Sequence, residues 1–317
     1  MILYVIRRLL LAIPIAIGVT IVCFSLIHLA PGDPLSTVLP DNATPEVVEE
    51  IRAAYGFDKP LPVQYLVWLG NVVSGDFGLS IQSRRPVLGD IVPAVQNTMI
   101  LAFAAVLIGF PFGTILGAIA GYSQGSLTDK VVTAISITGV SVPHYWLGMV
   151  LVVIFAVNMG VLPAMGMGPG GQSDFGLNWA HLKHLLLPAI TLSVIPAGII
   201  ARSVRATVAD VRKKDFVSTL RAKGLSPAWV FLHVAKNAAP VVLAVCGLQF
   251  AQLLGGSILV ETVFSWPGTG FLMNSAIFTR DLPVLQGTIL VLSLFFVVIN
   301  LLVDVLQTVF DPRIRRG

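Results

Sequence analysis

Hydropathy, the placement of positive charge and the spacing of the apolar runs predict an all-α polytopic membrane protein. It has six spans and a small polar domain between the first two. Of 317 residues 56% are hydrophobic and 11% charged, and the mean hydropathy is +0.88, far above the range of soluble domains. Six apolar runs of spanning length place both ends of the chain on one side. On that assignment 14 of the 20 Lys and Arg fall on the same side as the ends, which the positive-inside rule makes the cytoplasm. The two cysteines, Cys23 and Cys246, lie inside apolar runs and read as small buried hydrophobes.

The first span follows Arg7 and Arg8 and covers residues 9–29. Its charge order resembles a signal peptide, but the run is longer than an h-region and Pro31 stands where small residues would mark cleavage, so it reads as an uncleaved span. Residues 1–30 form this first segment, and residues 31–97 an extracytoplasmic insert with four cations against eight acids. Within it Thr44 and Pro45 read as the cap and first position of a helix, and 64–73 reads as a second helix. Residues 98–308 then hold the other five spans. The second, 98–121, contains Pro111, Gly113 and Gly117, small residues suited to close helix packing. A polar turn over 122–130 leads to the third, 131–160, with Pro143-His144-Tyr145-Trp146 inside it.

His144 is an intramembrane ionisable group and so a functional candidate; a hydrogen bond to a neighbouring helix is the structural alternative. In the Gly-rich loop 161–184, Gly166, Gly168 and Gly171 spell G-x-G-x-x-G, but no strand precedes the motif and Pro169 interrupts it, so no dinucleotide site is expected. His181 and His184 share a helical face without evident further ligands, a weak metal pair. The fourth span, 185–201, reads as short and broken by Pro188 and Pro196. The fifth is 240–260, with Glu261 at its outer end, and the sixth is 284–306. Asn300 and Asp304 lie one turn apart on the sixth span, where an interhelical hydrogen bond competes with a proton relay. Residues 309–317 are a basic cytoplasmic tail.

Between the fourth and fifth spans, residues 205–240 form the longest charged stretch of the chain. The pattern predicts two short helices around a corner. Asp215 is a candidate N-cap, with Phe216, Val217 and Leu220 recurring behind it at helical spacing. Gly224 fits the left-handed position past the first helix, and Leu225 the apolar residue after it. Ser226 caps the second helix, with Pro227 at its first position, and Asp210 and Lys214 form a supporting i,i+4 pair. A DNA-binding helix-turn-helix has this outline, but membrane-length runs flank it, so no nucleic-acid partner is expected. A solvated loop and a docking element for a soluble partner remain.

The stretch DFVSTLRAKGLSPAWVFLHVAKNAAPVV resembles the EAA loop of permeases of binding-protein-dependent ABC importers, in the dipeptide, oligopeptide, glutathione and nickel branch. It departs from the family pattern at Ser218-Thr219-Leu220, where Leu220 is bulkier than the usual Ala. HLAPGDPL, YGFDKPLPVQYLVWLGN, GDFGLSIQSRRPV, TVFSWPGTGFLMNSAIFTRDLPVLQG and the ending DPRIRR extend the resemblance over nearly the whole chain. It implies a type I importer permease in the inner membrane. A homologous second permease, two ATPase subunits and an extracytoplasmic substrate-binding protein would be its partners. Asp215, Phe216, Val217, Leu220, Arg221, Ala222, Lys223, Gly224, Leu225, Ser226 and Pro227 would dock an ATPase and transmit its movement. His144, Glu261, Asn300 and Asp304 are left as gate or intramembrane polar candidates.

No phosphate-cradling G-x-x-x-x-G-K-[ST], no H-E-x-x-H and no G-x-S-x-G occurs in the chain. An energy source on a separate chain follows, with ATP and Mg on the partner ATPases and no cofactor or catalytic residue here. The cargo implied by the resemblance is a small peptide, with nickel or another small solute as the rival. A membrane scaffold that recruits a cytosolic protein is the alternative from another class.

Overall fold

The computed structural model describes residues 2–29, 58–171 and 175–310, with the separate positions 44, 46 and 49. Its regular elements are all helical: α1 (Ile2–Leu29), α2 (Leu61–Val73), α3 (Val87–Tyr122), α4 (Leu127–Ser141), α5 (His144–Leu151), α6 (Trp179–Arg212), α7 (Asp215–Ala222), α8 (Pro227–Val263), α9 (Thr269–Thr279) and α10 (Leu282–Phe310). A π-helix, Val152–Asn158, continues α5. Among the described residues four helices, α3, α6, α8 and α10, are long and apolar enough to cross a membrane. A fifth crossing is available if α4 and the helix over residues 144–158 count as one span. In α1 the apolar stretch counted separately runs from Leu10 to Ser25.

The chain divides into two compact units. The first combines residues 3–96 with 268–298. Here α1 and α2 meet through aromatic rings, with Phe24 5.5 Å from Tyr65 and 5.8 Å from Trp68. A 2.8 Å bond joins Thr20 Oγ1 and Tyr65 Oη. Gln286 Nε2 of α10 donates to the Cys23 carbonyl at 3.2 Å, satisfying a polar side chain buried among apolar helices. Val87, Ile91, Ala276 and Val284 form the core of this unit, with Phe77 and Leu272 packed on it. Thr44 is non-helical and Glu46 and Glu49 are helical, while position 45, where the sequence places the helix start, lies outside the described residues. The remaining calls on 30–57 lie outside the described residues, as does the tail from 311.

The second unit centres on residues 97–267. Its middle is α6, with Leu187, Ala189, Leu192, Ala197, Ile200, Ala201 and Val204 all buried. Gly109, Gly113, Gly117 and Gly121 of α3 recur every four residues and so share one face. A Cβ added to each would come within 2.8, 2.5, 2.4 and 2.8 Å of the carbonyl oxygens of Ser193, Ala197, Ala201 and Arg205. The two backbones therefore run in contact for three turns, a seam that small residues alone permit. On another side of α6, a Cβ at Gly198 would sit 2.7 Å from the Ser136 carbonyl oxygen of α4.

The helix that carries the second span begins at Val87, ahead of the expected 98. Other sequence expectations are corrected. The third is not one helix: the chain bends by 98° between α4 and α5, at Val142-Pro143, where Pro143 stands as the N-cap of α5. The fourth is not short or broken, since Pro188 and Pro196 both lie inside the 34-residue α6. The stretch between the last two spans holds a further helix, α9.

Candidate functional site

The corner after α6 is built by end signals that the sequence states plainly. Arg212 is the last residue of α6. Lys214 turns into extended geometry (φ −72°, ψ 146°) and stands as the N-cap of α7, with Asp215 in the first helical turn. The Asp215 carboxylate therefore complements the helix dipole without being the cap. Because the chain leaves helical geometry at Lys214, the i,i+4 relation to Asp210 is lost and no ion pair forms between them.

At the other end of α7, Gly224 has φ +74°. Its N–H donates to the Arg221 carbonyl at 2.9 Å, and the Leu225 N–H to the Leu220 carbonyl at 3.2 Å. This is a complete Schellman motif. Leu220 and Leu225 both pack on the same buried cluster, the apolar contact that accompanies the motif. Ser226 and Pro227 open α8 as the sequence predicts, although the Ser226 hydroxyl makes no capping bond. The second arm is not a separate short helix. It is the beginning of the 37-residue α8, which continues through Pro240.

The apolar face of α7 points inward. Val217 is fully buried, and Phe216 and Leu220 pack partly buried beside it against Val204, Val208 and Val211 of α6 and Val230 and Val234 of α8. Val217 is thus turned into the protein's own core and away from solvent. Such burial is worth about 1.5–3 kcal/mol for a valine. What faces solvent is Asp215, Ser218, Thr219, Arg221, Ala222, Lys223, Gly224, Ser226 and Pro227, joined by Trp229 and Phe231, 59% and 50% exposed. Neither aromatic stands out in the sequence, because each sits in an apolar run where exposure carries no local signal.

Two arginines on α6 tie the corner to the α3–α4 turn. The Arg212 guanidinium donates to the Tyr122 carbonyl and, at 3.3 Å, to that of Gly121. It lies 4.5 Å from the centre of the Tyr122 ring. It thereby serves the open carbonyls at the end of α3 with a cation, as a helix C-terminus favours. Tyr122 in turn contacts Phe231 of α8, ring centres 5.5 Å apart. Two turns further back, Arg205 forms a bidentate pair with Asp129 through Nε to Oδ1 and Nη2 to Oδ2, the latter at 2.8 Å. Asp129 also accepts from the Gly125 N–H at 2.9 Å, which fixes the turn before α4. Sequence reasoning missed both ties: Arg205 and Asp129 lie 76 residues apart, and no local spacing pairs them.

Along the middle of α3, α4 and α6 lies a cavity of about 320 Å³ lined by Ile108, Phe112, Leu116, Ile135 and Val194, with Ser136 and Ser193. Both hydroxyls are engaged by their own helices, donating to Val132 and Ile190 carbonyls at 2.8 Å. The walls therefore offer mainly dispersion contacts, with the two hydroxyls spent as donors.

The remaining candidates are not gathered into one site. His144 is half-buried at the start of α5, and its Nε2 has no hydrogen-bond partner among the described residues, which corrects the expected interhelical bond. His181 Nδ1 meets Asn178 Oδ1 at 3.1 Å, where Asn178 also caps α6 by accepting from the His181 N–H. His184 Nδ1 contacts the Met165 carbonyl at 2.9 Å. His181 and His184 thus each have their own structural neighbour, and no group of three metal-binding side chains occurs among the described residues. Glu261 is fully buried in the last turn of α8 and accepts from Thr98 Oγ1 at 2.8 Å. Nearby, Trp266 Nε1 donates to the Asn97 carbonyl at 2.9 Å. Asn300 is half-buried on α10, and the Asp304 side chain lies outside those described.

Comparison with known proteins gives two family matches. Residues 113–316 match the binding-protein-dependent transport system inner membrane component, and residues 1–105 match the N-terminal component of the same class of transport system. The chain is 40% identical to the dipeptide transport system permease protein DppB of Alkalihalophilus pseudofirmus, over 99% of this chain and 100% of that one. It is 40% identical to the glutathione transport system permease protein GsiC of Escherichia coli K12, over 98% of each. It is 41% identical to a putative peptide transport system permease protein of Brucella abortus, again over 98% of each.

Proposed function

This chain belongs to the family of binding-protein-dependent transport system inner membrane components, and on that footing we propose that it is a permease subunit of an ABC importer for small peptides. The relatives named above carry dipeptides, glutathione or peptides in their names, and dipeptides and glutathione-like tripeptides are the cargo this reading assigns. ATP hydrolysis, with its Mg, resides on two partner ATPases. A second, homologous permease completes the pathway, and an extracytoplasmic substrate-binding protein delivers the cargo. In this reading α1, α3, the bent α4–α5 pair, α6, α8 and α10 are the six spans. Both ends and the α7 corner lie in the cytoplasm, and residues 31–97 lie outside.

The observation that carries the reading is the corner itself. A short helix and the turn after it present Ala222, Lys223 and Gly224 to solvent while the helix's buried face is packed on α6 and α8, two membrane-length helices. A displacement applied to that exposed surface is delivered directly to two spans. The partner contact falls on the exposed residues and on Trp229, and Phe216, Val217 and Leu220 hold the lever rigid from within.

Reconstitution of the chain with its second permease, two ATPases and receptor tests this. Radiolabelled dipeptide or glutathione should accumulate in proteoliposomes only with ATP and all components present. A cysteine at Ala222 should cross-link to an ATPase subunit, and one at Lys213 should resist an impermeant thiol reagent in spheroplasts that labels one at Asp41. Uptake by this chain without any ATPase, or labelling in the opposite sense, contradicts the proposal.

A further inference from the structure

Asp281 is a buried carboxylate between α9 and α10, and four donors from two segments converge on it. Ser80 Oγ donates to Oδ2 at 2.5 Å, and the Gln82 N–H to the same oxygen at 3.2 Å. The N–H groups of Ile81 and Val284 reach Oδ1 at 3.2 and 3.4 Å. The Ser80 hydroxyl also accepts from the Ser83 N–H at 2.9 Å. The Ser80 N–H and carbonyl bond the Arg85 carbonyl and Arg84 N–H at 2.9 and 3.0 Å. The loop that carries Arg84 and Arg85 is thus pinned through residues 80–82 to Asp281, the residue after Arg280.

All three arginines are exposed, and no ion pair neutralises them among the described residues. Asp281 cannot do so, since its oxygens are taken by the four donors. Two of the three occupy left-handed backbone, Arg84 at φ 57° and Arg280 at φ 55°. Glycine is the favoured residue in that conformation, and Arg280 closes α9 where glycine is the usual end residue. Ile277, Phe278 and Leu79, 51%, 80% and 57% exposed, add an apolar surface to the same two segments. On the topology assigned above, these arginines are half of the six cations outside the membrane, and Arg84 and Arg85 lie in an insert where acids outnumber cations two to one.

We propose that Arg84, Arg85 and Arg280, with Phe278, form the surface on which a carboxylate-rich face of the substrate-binding protein docks. The inference rests on the importer reading and on its assignment of these loops to the outside. The chemistry fits a protein surface. Guanidinium forks carried on a backbone fixed by hydrogen bonds can take carboxylates in bidentate geometry, and exposed aromatic and arginine side chains are the usual interface anchors. Charges of this kind mainly raise the association rate and are screened by salt, whereas Phe278 acts on dissociation.

The test uses the assembled importer in nanodiscs of phosphatidylcholine and, separately, of phosphatidylglycerol, with its own substrate-binding protein as the soluble partner. Association and dissociation rates are measured at 50 and 300 mM salt. The triple variant R84E/R85E/R280E should associate at least tenfold more slowly at low salt and lose most of its salt dependence. ATP hydrolysis without receptor should be unchanged. Phe278→Ala should speed dissociation several-fold. Arg84→Gly is the sharper variant: it relieves the left-handed backbone, so a purely structural arginine would leave binding intact and the protein more heat-stable. A docking arginine predicts slower association together with that added stability. Unchanged association in the triple variant, with the importer assembled, overturns the docking surface alone. So does a loss that appears only in phosphatidylglycerol, which assigns the arginines to lipid headgroups. No receptor binding by the unaltered importer overturns the importer reading and this surface with it.

Discussion

The α3–α6 seam and the α7–α8 corner both depend on glycine, and for opposite physical reasons. At the seam the backbone is ordinary helix and the surroundings are full: a Cβ at Gly113 would lie 2.5 Å from the Ala197 carbonyl oxygen. At the corner the surroundings are empty, with nothing within 4 Å of a Cβ at Gly224, and the backbone is unusual, at φ +74°. The first glycine is demanded by a neighbour and the second by its own dihedral angle. Crowding against backbone has no cheap relief, because two packed helices must separate. A strained dihedral can relax locally, since the chain around it is exposed. The seam is accordingly a condition for the fold, and the corner is a condition for the position of one short helix.

The largest effect should follow from crowding the seam. Gly113→Val is expected to cost about 3 kcal/mol or more and to remove the folded protein from the membrane, read as loss of a monodisperse peak after mild detergent extraction. Normal abundance with normal heat stability would show that α3 and α6 are not in backbone contact.

An intermediate effect should come from the tie between seam and corner. Arg205→Ala leaves the buried Asp129 without its bidentate partner, which destabilises more than the pair itself stabilises. A drop in melting temperature and at least a tenfold loss of uptake are expected. The double variant Arg205→Ala/Asp129→Ala should be less impaired than the two single losses predict, as for any directly coupled pair. Strict additivity in thermal unfolding would deny that this pair holds the α3–α4 turn to α6.

The smallest effect on the fold, paired with a large one on transport, belongs to Gly224→Val. Left-handed backbone costs a residue with a side chain about 1–2 kcal/mol, too little to unfold a chain of this size. Abundance should stay near that of the unaltered protein while peptide uptake falls sharply. Gly224→Asn, which tolerates positive φ better, should retain more uptake than Gly224→Val. Equal uptake in all three would mean that the angle of the corner does not matter. Loss of the protein from the membrane in Gly224→Val would make the corner a folding element.

Much of this was legible in the residues alone. An apolar content of 56% and 14 cations on one side are properties of composition and order, and they identify a helical membrane protein before any contact is known. The corner was legible as well. Glycine at the end of an amphipathic octet, an apolar residue after it and Ser-Pro beyond are local signals, and the Schellman bonds at Gly224 form between residues five or fewer apart. Tertiary structure alone decided three other matters. Pro143 breaks its span, whereas Pro188 and Pro196 do not break theirs, although all three are the same residue in apolar surroundings. α6 is packed against helices on several sides, and such packing sustains a helix through a missing hydrogen bond. An amphipathic α7 can offer Val217 to a partner or to its own core. The choice fell to the core because α6 and α8 supply valines at the matching height. Arg205 and Asp129 find each other only because the glycine seam brings the end of α3, and with it the turn into α4, against α6. Local order fixes periodicity and end signals; the identity of a neighbour far along the chain is fixed by packing, which no window of sequence contains.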